Sequence, residues 1–500
     1  MYHHHVKLIL LALGGLLLIG GASCLSQQSR HLCGINELST ASLRLSPGSE
    51  VVFPGDDDFG AVTLRWTNFS RPTYSVAVIP ALESDVQKLA RFATACDIPF
   101  LATSGAHGFD TTLGRVKQGL EIDLSRFRAV SIDATANTLI VGGGVRFSDM
   151  IDAVYAAGKE ISPLTTSPEQ DHGTGPCVGM LSPTLAGGVG RYSGLHGMIS
   201  DQLLSARVVT ANGSVVTASA TEHSDLFWAL RGAGNNFGIV TEATYRVFNL
   251  TSRIIVNADY AFSPNASAAI IDYFASFGDN TPPKLALILF GKYDANTKDV
   301  SNMHTISATH PSPTHLSCKR GTQLSLWVNI VYAGRLVELQ PLLDPLLAKV
   351  TPYRQNVSEI PWSQMLYYNF FGATPSAPAA CAAKGLDRDI YGGAIKSYDK
   401  REWNRFIANF SSFLRGADEA SRSSIFFIEQ FSKVKVLQIP DEETAYPWRD
   451  ITAHLYIYVN YGHGDEKSEV LYSARKLPRL RALKKIWDPE NAFRFAHPFV

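Results

Sequence analysis

Apolar and polar residues alternate with two different periods along this chain, and the switches between them mark out its elements. The run VAVIP, residues 76–80, predicts a short strand, after which the spacing turns helical, with Val86, Leu89, Ala93 and Cys96 on one face. Ser84 and Gln87 have the spacing of a capping box, so that helix is expected to start at Ser84. IPFLATSG then reads as a strand entering a glycine turn. LEIDLSRF and AVSIDATANTLIVGGG alternate with period two around a Thr-Ala-Asn turn, a hairpin ended by Gly142 to Gly144. Met150, Ile151, Val154 and Tyr155 form the next helical stripe, which Ser148 can cap and Gly158 can stop. LLSARVVTANGSVVTAS predicts a hairpin turning at Asn212-Gly213. A helix follows from Ser224 to about Gly232, then the strand NFGIVTEATYRVF. Beyond Asn257 glycine clusters thin out and longer segments take over, until a DPEN turn precedes the final aromatics.

Three glycine-dense loops interrupt the first half: Thr103 to Gly108, Gly187 to Gly194 and Gly232 to Gly238. Backbone amides in such loops can cradle a pyrophosphate without charged side chains. In LATSGAHGF one imidazole, His107, stands among small residues that let a backbone approach something bulky. The segment Gly175 to Met198 has no helical or strand period and is too apolar for a linker, so its backbone is expected to lie against a partner. Cys96 faces the packed side of its helix, either as a buried thiol or as a disulfide partner.

Length then sets the scale: 500 residues exceed a single core, and two domains are the natural reading. Lysine plus arginine and aspartate plus glutamate both number 45, which leaves no electrostatic footprint for nucleic acid and points to a small-molecule substrate. The N-terminus has a weakly basic start, an apolar run from Leu8 to Ile19 and small residues from Gly20 to Ser23, the layout of a signal peptide spanning residues 1–23. Sequons stand at Asn68, Asn212, Asn249, Asn265, Asn356 and Asn409. Together these predict a secreted or secretory-pathway glycoprotein, with no stable membrane insertion after cleavage. The compartment permits disulfides among Cys33, Cys96, Cys177, Cys318, Cys381 and, with cleavage ahead of it, Cys24. Neither GxxxxGK[ST] nor GxSxG occurs, GAGNNFG has the wrong spacing for a Rossmann turn, and no HExxH or CxxC suggests a metal.

TSGAHG, PCVGMLSPTLAGGVGRYSGLHG, DLFWALRGAGNNFGIVTEATYRVF, YIYVNYGHGDE and WDPENAFRF occur in order over nearly the whole chain after the signal segment. In this order the chain resembles the berberine bridge enzyme-like FAD-linked oxidoreductases of the vanillyl-alcohol oxidase superfamily. The resemblance implies an α+β fold: a two-subdomain FAD-binding domain of the PCMH type over 60–250 and an α+β substrate domain with an antiparallel sheet over 255–450. A C-terminal segment, 451–500, is expected to return to the FAD domain. The family histidine joined to the flavin 8α-methyl corresponds to His107, with Thr103 and Ala106 in place of the usual arginine and second glycine. By the same carry-over Thr103, Ser104, Gly105, Ala106, His107, Gly108, Gly187, Gly188, Gly190, Gly238, Ile239, Val240 and Asn460 are expected at the FAD. The second, cysteinyl link of many members would start from position 175, which is glycine, so a single histidyl link is expected. Cys177 could lie near the flavin, with a packed thiol as its main role. Relatives also suggest a Cys33–Cys96 pairing.

Flavin N5 would take a hydride from a substrate carbon, and a protein group would take a proton. The family's catalytic glutamate falls near Gln438, which is no base, so the proton acceptors expected here are Tyr458, Tyr461 and Glu429. The resemblance implies dioxygen as the acceptor and a natural-product intermediate as the substrate. The alternatives are an oligosaccharide oxidase, or a non-redox cyclase or binding protein keeping the fold.

Overall fold

The computed structural model describes residues 33–162, 175–294, 324–368, 370–372, 384–385, 387–389, 391–417, 421–457 and 466–500. Three sheets carry it. In the first, β1 (Glu50–Val52), β2 (Tyr74–Ile79), β3 (Phe100–Thr103) and β4 (Gly119–Asp123) lie in the order β1-β2-β4-β3, with β2, β4 and β3 parallel and β1 antiparallel at the edge. The helix Glu83–Ala95 makes the crossover and buries Val86, Leu89, Ala90 and Ala93 against Val76, Val78, Leu120 and Ile122. It starts one residue before Ser84, because the Asp85 carboxylate, not a Ser84 hydroxyl, accepts from Leu82 N at 3.1 Å. Likewise Asp149, not Ser148, caps the helix Phe147–Ala156, accepting from Arg146 N at 2.8 Å.

The second sheet is antiparallel: β5 (Val130–Asp133), β6 (Thr138–Gly142), β8 (Leu203–Val209), β9 (Val215–Ser219) and β10 (Ile239–Arg246), in the order β5-β6-β10-β8-β9. A two-residue ribbon, β7 (Lys159–Glu160) with β11 (Phe248–Asn249), stands beside it. Both expected hairpins form, one with Asn137 at φ 57° and the other with Gly213 at φ 76°.

The third sheet holds β12 (Ile254–Phe262), β13 (Leu285–Tyr293), β14 (Leu324–Tyr332), β15 (Arg354–Pro361), β16 (Tyr391–Ile395), β17 (Phe426–Phe431) and β18 (Ala453–Ile457), antiparallel in the order β15-β12-β14-β13-β17-β18-β16. Its central strands are covered on both faces, which is why β14, LSLWVNIVY, is buried at every position. One face packs under the helices Ser267–Phe277, Leu336–Leu347 and Lys400–Gly416 through Leu287, Leu289, Val328 and Ile428. The other, with Ile288, Phe290, Trp327 and Phe427, joins the core of the second sheet. A fully buried leucine or phenylalanine contributes roughly 1.5–3 kcal/mol, so this double-sided burial holds the two halves together. Across the second face one row of register partners reads His454, Glu429, Ile288, Asn329, Asp259. After β18 the chain leaves the third sheet, and the helix Ser468–Trp487 sends Leu477, Leu480 and Leu483 into that same core.

Cys33 and Cys96 are joined, Cα to Cα 5.5 Å, across 63 residues of chain. Closing a loop of that length removes about 4 kcal/mol of unfolded-state freedom in the chain-entropy account. No helix among the described residues is long and apolar enough to cross a membrane.

Candidate active site

A cavity of about 640 Å³ opens where the loops of the first two sheets meet the third. β3 delivers the chain to it at Thr103, whose hydroxyl donates to Glu121 Oε1 at 2.7 Å. The loop that follows, Ser104 to Gly108, lines the cavity at every residue. Gly105 is required by space: a Cβ there would lie 2.6 Å from the Cys177 carbonyl oxygen and 2.8 Å from Gly179 N, so two loops pack backbone on backbone. Ala106 takes φ 55°, a left-handed conformation that costs an alanine about 1–2 kcal/mol, and its carbonyl accepts from Trp66 N at 3.0 Å. His107 lies beside Trp66, ring centroids 6.0 Å apart, and its Nε2 is closed off from water without a hydrogen-bond partner. Burial, reinforced by Lys384, Arg146, Arg65 and Arg388, pushes its imidazole down to about pKa 3. Beneath the loop, burial raises the Glu121 carboxyl to about 7 against the Thr103 hydrogen bond, and its Oε2 is unpartnered.

The second glycine loop behaves differently from expectation. Ala186 and Val189 line the cavity, whereas Gly187, Gly188 and Gly190 do not. Gly187 (φ 117°) is packed behind it on Tyr446 and Met198, and Gly188 (φ 71°) on Ile199. Cys177 is corrected on two counts: it is disulfide-bonded rather than a packed thiol, and the cavity is lined by its neighbours Val178 and Gly179. The third loop brings Gly238, Ile239 and Val240 to the cavity lining, together with Asn235 and Asn236. Asn236 also ties in the chain end, donating to the Tyr472 hydroxyl at 3.1 Å, while that hydroxyl donates to the His497 carbonyl at 2.6 Å. His497 N donates to Asp110 Oδ2 at 2.6 Å, which laces the terminal segment to the residues just past His107.

The third sheet closes the opposite side with Phe427 and Glu429 from β17, His454 from β18, and Gly392, Gly393 and Ala394 from β16. Glu429 and His454 are directly opposed in register, which places their Cβ atoms about 4.5–5.5 Å apart on one face. Glu429 is 2 % exposed and His454 6 %. Burial alone takes His454 down to about pKa 4, so its ring is neutral at ordinary pH. The turn Tyr446–Arg449 adds Tyr446, Pro447 and Trp448 to the lining. It is fixed by Arg449, which donates to both Asp201 carboxylate oxygens at 2.7 and 3.0 Å, and by Lys476 Nζ, which donates to the Thr444 and Tyr446 carbonyls at 2.7 and 2.8 Å. Gln438 sits away from this wall, exposed, accepting from Lys435 Nζ. Tyr458, Asn460 and Tyr461 lie outside the described residues.

Arg65, Trp66, His454 and His497 were not anticipated from sequence, because nothing near them in the chain marks them. The place of His454 is set by strand register and that of His497 by the chain end.

Two family models match: "FAD binding domain" over residues 74–219, and "Berberine and berberine like" over residues 457–498. An FAD-linked oxidoreductase of Aspergillus fumigatus is 50% identical over 486 residues, covering 96% of this chain and 97% of that protein. A second, OXR1 of Pyricularia oryzae, is 36% identical over 491 residues, with coverage of 90% and 89%. Among solved structures, the Physcomitrella patens BBE-like 1 protein superposes with a TM-score of 0.73 at 21% identity, covering 93% of this chain and 100% of that one, a likeness of fold. The cavity residues fit FAD on their own terms. Two glycine loops, Ser104 to Gly108 and Gly238 to Val240, line it, and so do His107 and Arg65, each of which holds a buried nitrogen, Nε2 and Nη1, without a hydrogen-bond partner.

Proposed function

Because this chain belongs to the family of FAD-linked oxidoreductases with a berberine-like C-terminal segment, we propose that its FAD is bonded once, to His107, and serves the oxidation of a largely apolar, hydroxyl-bearing natural product with dioxygen as acceptor. The observation that carries the reading is the His107 imidazole. The ring lines the cavity and is held neutral by burial and by surrounding cations, and a neutral imidazole keeps one ring nitrogen with a lone pair that can bond to carbon. The Cys177 sulfur is committed to a disulfide, which supports one link rather than two.

Bound flavin supplies the hydride acceptor. The chain supplies the rest. Phe427, Tyr446, Trp448 and Ile451 form an apolar wall that excludes water and suits a ring system better than a sugar. Glu429, on that wall, takes the hydroxyl proton as hydride leaves the adjacent carbon, and the neutral His454 ring opposite it supports the carboxyl group in either protonation state. In this reading the N-terminal segment directs the protein to the secretory pathway, and the exposed sequons Asn212, Asn249, Asn265, Asn356 and Asn409 suit glycosylation.

Mass spectrometry of acid-precipitated protein tests the covalent reading. A flavin mass retained on the His107 peptide, and lost in His107→Ala, is the expected result. Complete release of flavin from the wild-type protein would overturn the link. Anaerobic mixing with a panel of aryl alcohols and of oligosaccharides then separates the substrate classes by which of them bleaches the flavin.

A further inference from the structure

Position 103, where the family motif carries arginine, is threonine, yet the His107 loop is not short of positive charge. Arg65 is 5 % exposed, lines the cavity and donates through Nη2 to the Gly108 carbonyl at 3.0 Å. Its Nη1 is buried without an acceptor in hydrogen-bonding geometry. Arg388 comes from more than 300 residues further along. It is 7 % exposed, with its guanidinium 4.3 Å from the centre of the Trp66 ring, the ring that stacks beside His107. The short piece of chain around it is latched down by paired contacts. Gly385 N donates to the Arg65 carbonyl at 2.8 Å, Arg388 N donates to the Thr67 hydroxyl at 3.0 Å, and that hydroxyl donates to the Arg388 carbonyl at 3.0 Å. The same piece carries Lys384, half-buried, whose Nζ meets the Leu64 carbonyl at 3.4 Å.

Two carboxylates face the same cations, Glu121, which burial raises to about 7, and Asp123, which burial raises as well. Lys384 is itself held below its ordinary value, first by burial and then by Arg146, while Arg65 adds to the same effect, as expected where cations crowd one another. Cations are thus gathered, at a cost in desolvation and mutual repulsion, around one imidazole that bears no charge to balance them.

We propose that Arg65, Arg388 and Lys384 form a redox-tuning cluster that raises the reduction potential of the flavin attached at His107. The inference rests on the reading of His107 as the attachment point. Two-electron reduction with uptake of one proton leaves negative charge on the flavin ring, and Arg65 in the cavity wall, with Arg388 and Lys384 docked against it and its neighbours, favours that state over the neutral oxidised one. The cluster is brought together where Lys384, Gly385 and Arg388 dock on residues 64–68, so the oxidising power of the flavin is coupled to the seating of a piece of the substrate half.

The test is the midpoint potential of the purified holoenzyme, measured by dye-equilibrated reduction and flavin absorbance, which needs no substrate. Lys384 is the residue to change, because it is only half-buried. Lys384→Met is expected to lower the reduced-to-oxidised ratio at fixed potential about tenfold, ~30 mV for a two-electron couple. Lys384→Glu should lower it further and Lys384→Arg restore it. Lys400→Met removes an exposed cation outside the cavity lining, paired with Asp272 at 2.8 Å, and should leave the potential in place. Unchanged potentials in Lys384→Met and Lys384→Glu, with flavin still on the His107 peptide, would overturn the cluster and leave the covalent reading standing. Flavin released by acid from the wild type would overturn the covalent reading instead, and the same potentials would then judge the cluster for dissociable FAD.

Discussion

The loop that carries His107 and the wall that carries Glu429 face one cavity, but they are built by opposite means. The loop is local: six consecutive residues, made close-fitting by Gly105 and bent by the positive φ of Ala106, put the imidazole in place. The wall is assembled from a distance, since Glu429 and His454 meet only because β17 and β18 pair in one particular register. A slip of one residue between them would turn one of the two side chains to the other face. The cofactor end therefore depends on backbone space, and the proton-handling end on sheet alignment.

The largest expected effect lies on the wall. Glu429→Gln keeps the shape and removes the proton acceptor, so turnover of whichever alcohol bleaches the flavin should fall about 10²–10⁴-fold while the flavin content is unchanged. Gln438→Ala, at an exposed site away from the wall, should leave oxygen uptake unaltered. Equal losses in both variants would mean that β17 is not where the proton goes.

Acid separates the two ends next. Below pH 6.5 the unfolded chain takes up a proton at each histidine, whereas folded His454 stays neutral until about pKa 4. The unfolded state then binds more protons, so the stabilisation present above pH 6.5 is lost as pH falls toward 4, by about 3 kcal/mol from this residue. His454→Gln should remove that part of the slope in urea unfolding, and an unchanged slope would show that the ring is not held neutral. At His107 the low value should appear in kinetics: covalent incorporation of FAD into apoprotein should keep its rate from about pH 8 down to about pH 5, where an ordinary histidine would already be protonated.

How much of this was legible in the sequence follows the same division. The TSGAHG loop, the Gly238–Val240 strand start and the paired hairpins were readable because glycine, turn residues and period-two alternation act over a few positions. The second glycine loop was misplaced because glycine marks close packing without saying on what: Gly187 and Gly188 fit Tyr446 and Ile199, not a ligand. Both helix starts were read from serines, and acidic side chains one residue away took the caps. Glu429 could be named as a candidate, but its partner His454 could not, because register between strands 25 residues apart leaves no local trace. Arg65 and Arg388 are further removed still, joined only by the docking of two loops.

Two glycines in the cavity lining give the finest test of the contrast. A methyl group on Gly105 would meet backbone atoms at 2.6 and 2.8 Å, and neither the Cys177 carbonyl nor Gly179 N can swing aside as a side-chain tip would. Gly105→Ala should therefore cost about 1–3 kcal/mol and lower the fraction of protein carrying flavin, since the two loops must part. Gly393 lines the same cavity from β16, and a Cβ there meets nothing within 4 Å. Gly393→Ala should leave thermal stability and flavin content as they are, because alanine removes unfolded-state freedom without creating a clash. Its effect should appear only as a change in KM, from a methyl group added to the substrate side of the cavity. If Gly105→Ala were as well tolerated as Gly393→Ala, the loop would not be the close-packed device described, and the position of His107 would have to be set by the surrounding side chains instead.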